Sequence, residues 1–346
     1  MSQGSSLPPR SGARKAPKPG KQKPRKKRSF FKIFFITVFG ILLITAGFLA
    51  YLVLKVDDAV GQIGVENPEV VIPPEESVKA KSVALVLMGL DSRSHGGGLN
   101  TDVMMVAAFN PNTKSATVVS IPRDSLIDVE GYRERKANSF YADFYSMALN
   151  DGLKKEAAYA DAKQEVRTVM SKLFGIDVKY AGVINFQGFS DVVDALGGVE
   201  VNVDMRMKYK DSADGTNIDL EKGLQVLDGD QALDFVRYRK SNDGSNMSSD
   251  FDRNRRQSEV IGALTDKMKS LSGVSKLGGV IEAVGNNLTM DMPSDEIRSM
   301  MAKYFGMGKS DINFIALEGS WRSPYVYLDD TKLEEAKAAL QAKMAE

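Results

Sequence analysis

Asp91, Asp102 and the Arg123-Asp124 pair stand at the ends of three short apolar runs, Ser82–Gly89, Val103–Asn110 and Ser115–Pro122. The runs are rich in Val, Ala and Met and bounded by Gly, Asn and Pro, which predicts three strands. Charged residues where buried strands run out are typical of a site held by a rigid sheet. Two carboxylates beside a guanidinium suit a metal-bound phosphate: oxygen-only ligands match Mg²⁺ or Mn²⁺, and an Arg fork matches phosphate oxygens.

Further along, VRYR (Val236–Arg239) and DFDRNRRQ (Asp250–Gln257) supply Arg237, Arg239, Arg253, Arg255 and Arg256. Taken singly, each piece has an ordinary reading. An Asp after a strand is most often a turn or helix cap, and Arg253, Arg255, Arg256 and Asp252 would make a solvated helix face with local ion pairs. Concentrating up to six Arg, with Arg123, within short segments of an acidic domain instead points to a local anion site.

The domain is acidic once the N-terminus is set apart. Twelve of the 46 Lys and Arg lie at or before Lys55, where there is no Asp or Glu, so 34 basic and 45 acidic residues remain, a net of −11. That balance argues against nucleic acid as a partner. Residues 1–29 are mostly Pro, Gly, Ser, Lys and Arg with a single Leu and no aromatic, a composition that cannot bury a core and predicts a disordered basic tail. From Ile33 to Leu54 there is no charge, enough length to span a bilayer. The basic cluster at Arg25–Arg28 before it predicts a cytoplasmic N-terminus and an extracellular domain, with the tail touching lipid headgroups. A cleaved signal peptide competes, but its apolar region is usually shorter. Absence of Cys excludes disulfides, thiol catalysis and Cys-based zinc sites.

The division expected is therefore a tail over 1–29, a transmembrane signal-anchor helix over 30–54, a Pro- and Glu-bearing spacer over 55–80, and a domain over 81–346. Within it, helical spacing over Glu156–Phe174 ends at Gly175, Tyr180–Phe186 and Val199–Val203 read as strands, and Gln231–Tyr238 follows an Asp-Gly-Asp start signal. Helices are expected over Phe251–Ser270, Leu277–Val284 and Ser294–Phe305, and a final strand over Ile312–Leu317. Glu130–Asn150 has no clear assignment, Tyr209–Leu220 reads as a surface excursion, and Trp321 is expected to pack in the core. Strands and helices mixed from end to end predict one three-layer α/β domain. His95, the only histidine, reads as a loop residue.

The order GLD, TD, SIPRD, NFQGF, VDALGGVEV, LDG-x-QAL-x-FVRYRK and DF-x-R-x-x-RQ, spread over about Ser82–Leu264, closely resembles the LytR-CpsA-Psr family. The resemblance implies an α/β/α sandwich on a central mixed sheet. It implies a transferase that moves a teichoic acid, capsule or related glycopolymer from a polyprenyl-pyrophosphate carrier to peptidoglycan, at the cell membrane. It also implies that Asp91 and Asp102 hold Mg²⁺, that Arg123, Arg237 and Arg239 contact the pyrophosphate, and that Arg253 and Gln257 complete the pocket. No Ser-His-Asp pattern is needed for such chemistry, and a general base, where one acts, would be Asp250 or Asp124. Two departures stand out: Asn100 occupies a position where the family usually has Arg, and Lys136–Tyr141 keeps only part of a family motif, without its Gly pair. Hydrolysis of the lipid pyrophosphate and a non-catalytic envelope-binding or attenuator role are the competing readings.

Overall fold

A computed structural model describes residues 30–65, 72–90, 98–212 and 215–346. It divides into a unit ending at Leu49 and a folded unit from Ala50 to Glu346. Helix α1 (Phe30–Ile63) opens the described chain. Its stretch Val38–Ile63 is, among the described residues, the one helix long and apolar enough to cross a membrane.

The sheet begins with β1 (Val83–Leu90), β2 (Thr101–Asn110) and β3 (Ser115–Ser120), the three apolar runs expected. Two short strands, β4 (Leu126–Ile127) and β5 (Arg135–Lys136), lead to α2 (Phe140–Asn150) and α3 (Lys155–Phe174). Helix α3 stops where expected because Gly175 takes φ +65°, a left-handed cap that costs glycine no Cβ clash. Then come β6 (Val178–Asn185), α4 (Phe186–Ala195), β7 (Val199–Val203), β8 (Met207–Lys210), β9 (Asn217–Leu220) and β10 (Gly223–Leu227). Helices α5 (Gly229–Arg237), α6 (Asp250–Lys269), α7 (Leu271–Val274) and α8 (Leu277–Asn287) follow. The chain closes with β11 (Leu288–Met290), α9 (Ser294–Tyr304), β12 (Ile312–Ala316), the hairpin β13 (Gly319–Arg322) and β14 (Tyr325–Leu328), and α10 (Asp330–Ala345).

Six strands form one mixed sheet in the order β11-β6-β1-β2-β3-β12. β6 runs parallel to β1 and β12 parallel to β3, while β2 is antiparallel to both its neighbours. Strand alternation sends β1 side chains to two cores. Ala84, Val86 and Met88 pack with Phe140, Phe144, Val166, Met170 and Leu340 of α2, α3 and α10. Val83 and Leu85 pack with Ala59, Val60 and Ile63 of α1 and Ile297 of α9. The result is the α/β/α sandwich anticipated.

The segment expected as a spacer over 55–80 is largely part of this fold. Ala59, Val60 and Ile63 are at most 5 % exposed, and α8 admits α1 because Gly285 has no side chain: a Cβ there would stand 2.7 Å from the Ala59 Cβ. Beyond residues 66–71, which lie outside those described, the buried Glu296 carboxylate accepts from Ser77 Oγ at 2.7 Å and Val78 N at 2.8 Å. Apolar side chains in that stretch outweigh its Pro and Glu content.

A third core joins β7 and the β8–β9 hairpin to α5 and α6 through Val201, Met207, Leu220, Phe235, Tyr238 and Val260. The region Tyr209–Leu220 is therefore not a loose excursion: Met207 pairs with Leu220 and Tyr209 with Ile218, a period-two pattern with its apolar side turned inward. Helix α6 is fixed here by Arg256, fully buried, whose Nε and Nη2 donate to the two Asp204 oxygens at 2.8 and 2.9 Å. Nη1 donates to Ser248 Oγ at 2.9 Å, and the guanidinium lies against Phe235 and Tyr238. Arg256→Ala should destabilise the protein by about 1.5–3 kcal/mol, because the charge-assisted hydrogen bonds of a fully buried guanidinium to Asp204 are lost. The exposed Arg255→Ala should cost about 0.5 kcal/mol or less. Urea unfolding followed by circular dichroism distinguishes the two, and equal small losses would refute the clamp.

Candidate functional site

The carboxyl ends of β1, β3 and β6 and the start of the antiparallel β2 lie at one end of the sheet. A cavity of about 430 Å³ opens there, between the sheet and the β8–β9, α5 and α6 lobe. Asp102, Arg123, Arg237, Arg239, Arg253 and Gln257 all line it, so six of the eight site residues read from the sequence converge. Asp91 and His95 lie outside the described residues, and Asp250 opens α6 at its first position.

Each side chain is placed by a local device. β3 delivers Arg123 into a turn closed by Ser125 N donating to Pro122 O and Asn138 N donating to Arg123 O. Arg237 ends α5, whose start is fixed by a capping box between Asp228 and Gln231, the start signal expected from the sequence. Tyr238 then turns extended and buries its ring, with its hydroxyl 2.8 Å from Ser241 Oγ. The alternation leaves Arg237 and Arg239 on the cavity side. Arg237 also stacks on Phe186, 4.6 Å from the ring centroid. On α6, Arg253 and Gln257 are one turn apart and share a face. Arg255 and Arg256 of the same run go to Asp204 instead, so four of the six candidate arginines belong to the cavity.

The electrostatics are those of an anion site. Arg123 pairs with Asp102 and lies 3.4 Å from Asp124. Arg253 is pushed down to about 10, first by burial and then by repulsion from Arg239 and Arg123. Arg239 reaches solvent, yet desolvation by the surrounding protein and the Arg123 charge also lower it. Burial works to raise Asp124, but the 2.8 Å hydrogen bond from Lys136 and the Arg123 charge outweigh it and hold the carboxyl below the usual range. That makes Asp124, one of the two expected bases, a weak proton acceptor.

Sequence reasoning missed Asp234, which lines the cavity and is raised to about 6 by burial and by Asp230 and Asp228, against the pull of Arg237. Its signal was available: α5 places residue 234 three before Arg237, on the same face. Phe186, Tyr209, Thr216, Ile218 and Lys240 were missed as well. Asn100 does line the cavity, so the family's usual Arg position faces the site.

Among the described residues no group of three or more His, Asp or Glu gathers to hold a metal. A hard-oxygen set of one or two carboxylates completed by substrate phosphate is nonetheless how Mg²⁺ is commonly bound, and Asp102 with the Asn100 amide at the cavity wall fits that chemistry. Four guanidiniums, one of them paired with a carboxylate, make this cavity of an α/β protein a site suited to a polyanion.

The LytR_cpsA_psr family model matches residues 55–342, and the chain belongs to that family. Over 341 residues it is 29 % identical to the polyisoprenyl-teichoic acid–peptidoglycan teichoic acid transferase TagT of Bacillus subtilis (strain 168), covering 93 % of this chain and 96 % of that protein. It is 29 % identical over 269 residues to the corresponding transferase TagU of Oceanobacillus iheyensis, covering 77 % of each. The fold matches the solved structure of TagT bound to LIIa-WTA with a TM-score of 0.55 and 25 % identity, over 83 % of this chain and 98 % of that one.

A pyrophosphate diester keeps both charges across the neutral range, so its affinity should follow Asp234. As pH falls through about 6, Asp234 takes up a proton, the cavity loses a negative charge and binding tightens. Asp234→Asn should bind more tightly than the parent at pH 8 and equally at pH 5. Calorimetric titration with a short-chain pyrophosphate diester checks this, and identical pH profiles would refute it.

Proposed function

We propose that the protein is a membrane-anchored glycopolymer transferase that moves a teichoic acid or similar polymer from a polyprenyl-pyrophosphate carrier to peptidoglycan. The observation that carries this reading is the convergence of Arg123, Arg237, Arg239 and Arg253 with Asp102 and Gln257 in one cavity, in a chain similar along most of its length to named transferases. The apolar helix α1 supports a single-pass anchor, and the basic residues before it favour a cytoplasmic N-terminus with the domain outside, where its donor and acceptor are.

In this reaction an acceptor hydroxyl oxygen attacks the phosphorus that carries the sugar. The new oxygen–phosphorus bond forms as the bond to the bridging oxygen breaks, and polyprenyl phosphate leaves with that electron pair. Charge spreads over the phosphate oxygens, and fixed cations stabilise it without reorganising. Arg123, Arg237 and Arg239 orient the two phosphates, while Arg253 and Gln257 close the far wall. Arg123 is itself held by Asp102 and Asp124, so it aims at the phosphate from a fixed geometry. Asp234, raised to about 6, is suited to take the hydroxyl proton. Asp102 and Asp91 would hold Mg²⁺, which when bound supplies further neutralisation of the pyrophosphate.

The full chain in detergent, given a polyprenyl-pyrophosphate glycan and a peptidoglycan oligomer, should attach the polymer with Mg²⁺ and stop with chelator. Asp102→Ala and Arg239→Ala should each lower attachment about 100-fold or more while the melting temperature stays close to that of the parent. Full activity in both variants would remove the site. Release of free phosphorylated polymer without attachment would make the protein a hydrolase.

A further inference from the structure

Beside the phosphate cavity lies a second depression of about 590 Å³, walled by Arg133, Arg135, Lys136, Ser139, Asp143 and Tyr325. The β13–β14 hairpin stands beside it. Trp321, the chain's only tryptophan, was expected in the core but is 59 % exposed, and Tyr327 is 37 % exposed. Val326 is the side chain the hairpin buries, at 3 % exposed, while Trp321, its cross-strand neighbour, stays at the surface. The aromatic rings are ordered among themselves. Tyr325 and Tyr327 meet edge to face at 6.4 Å, and Arg322 lies 4.8 Å over the Tyr327 ring.

The hairpin hangs on the residues that carry the phosphate site. Val326 N donates to Asp124 O at 2.9 Å, and Ser125 bridges Val326. Lys136 Nζ lies 6.0 Å from both the Trp321 and Tyr325 ring centroids and donates to Asp124, which in turn lies 3.4 Å from Arg123. One lysine and one aspartate thus separate the aromatic platform from a phosphate-binding guanidinium.

The lining selects its ligand. Arg133, Glu134, Arg135, Lys136 and Asp143 dominate the lining, and Met147 and Tyr325, its apolar members, are too few to hold a lipid chain. Charges of both signs, with the hydroxyl of Ser139 and the amide of Asn150, match neither a uniform polyanion nor a uniform polycation. Pyranose rings have apolar C–H faces that pack on aromatic rings, and hydroxyl and acetamido edges that hydrogen-bond to charged groups in a groove.

We propose that this groove is the acceptor subsite, holding a glycan strand of N-acetylated sugars against Trp321 and Tyr325 with the reacting hydroxyl directed past Lys136 into the phosphate cavity. The direction of the strand rests on the transferase reading; the binding of sugar does not. Trp321 therefore reports binding directly, without turnover. A peptidoglycan tetrasaccharide lacking stem peptide, added without donor to the full chain in a sugar-free zwitterionic detergent, should change the tryptophan emission saturably. Trp321→Ala should raise the KM for a peptidoglycan acceptor about tenfold, leaving the affinity for a short-chain pyrophosphate diester as in the parent. Tyr325→Ala, which keeps the reporter, should weaken the fluorescence titration. No emission change up to about 10 mM sugar, or a response to free stem peptide alone, would overturn the subsite. A saturable response in a protein that transfers nothing would keep the subsite and discard the transferase.

Discussion

Four guanidiniums share one half-buried cavity, and their mutual repulsion is the constraint around which the rest of this structure is arranged. Arg253 is driven down to about 10, and Arg239 is lowered too, each partly by the other arginines. At neutral pH both stay charged, so the repulsion is carried by the fold until an anion relieves it. An isolated Arg cluster on flexible segments would splay apart. Here each member is fixed from behind: Arg123 by a turn off the sheet and by two Asp, Arg237 and Arg239 by the buried Tyr238 between them, and Arg253 by a helix that Arg256 locks to Asp204. Such preorganisation would serve the proposed transfer, because the positive field is already aimed before charge develops at phosphorus.

The scaffold that bears this load begins earlier in the chain than composition suggests. From Ala50 onward α1 belongs to the folded unit, its Val60 wholly buried, and Lys55 and Asp57 pair with Glu282 and Arg298. The surface pairs add little by themselves. The close approach of α1 to α8 at Gly285 and the buried Glu296 that holds Ser77 and Val78 do more, since they fix both ends of the segment read as a spacer.

How much was legible follows from where each signal resides. The strands β1 to β3 and helices α3, α5 and α6 carried local signals of period, cap and glycine, and their bounds fall within two residues of expectation. Arg237 and Arg239 were legible as a pair because the spacing around one buried aromatic survives in sequence. What local signals could not give was partnership. Arg253 and Arg256 are the same residue type three apart, yet one faces an anion cavity and the other a carboxylate 52 positions upstream. Val326, not Trp321, won the core because the hairpin docks on Asp124 and Ser125, a long-range contact with no local trace. The acidic Asp234 sat in a run read for its helix start, so its place on the cavity face went unread.

The Asn at position 100 takes its meaning from the same charge balance. The described lining holds Arg123, Arg237, Arg239, Arg253 and Lys240 against Asp102 and Asp234. A pyrophosphate diester brings two negative charges, so these cations already exceed what the ligand neutralises. A fifth arginine at position 100 would add attraction for the donor, but it would also add repulsion against Arg123 and compete with it for Asp102. Asparagine keeps a hydrogen-bonding donor and an oxygen acceptor at the cavity wall and, among the described residues, leaves Arg123 as the guanidinium paired with the Asp102 carboxylate. A carboxylate shared by fewer cations has more of its charge available to an incoming divalent ion. On this balance the departure would shift part of the charge stabilisation from fixed arginine toward a bound divalent ion, in keeping with the proposed pyrophosphate donor.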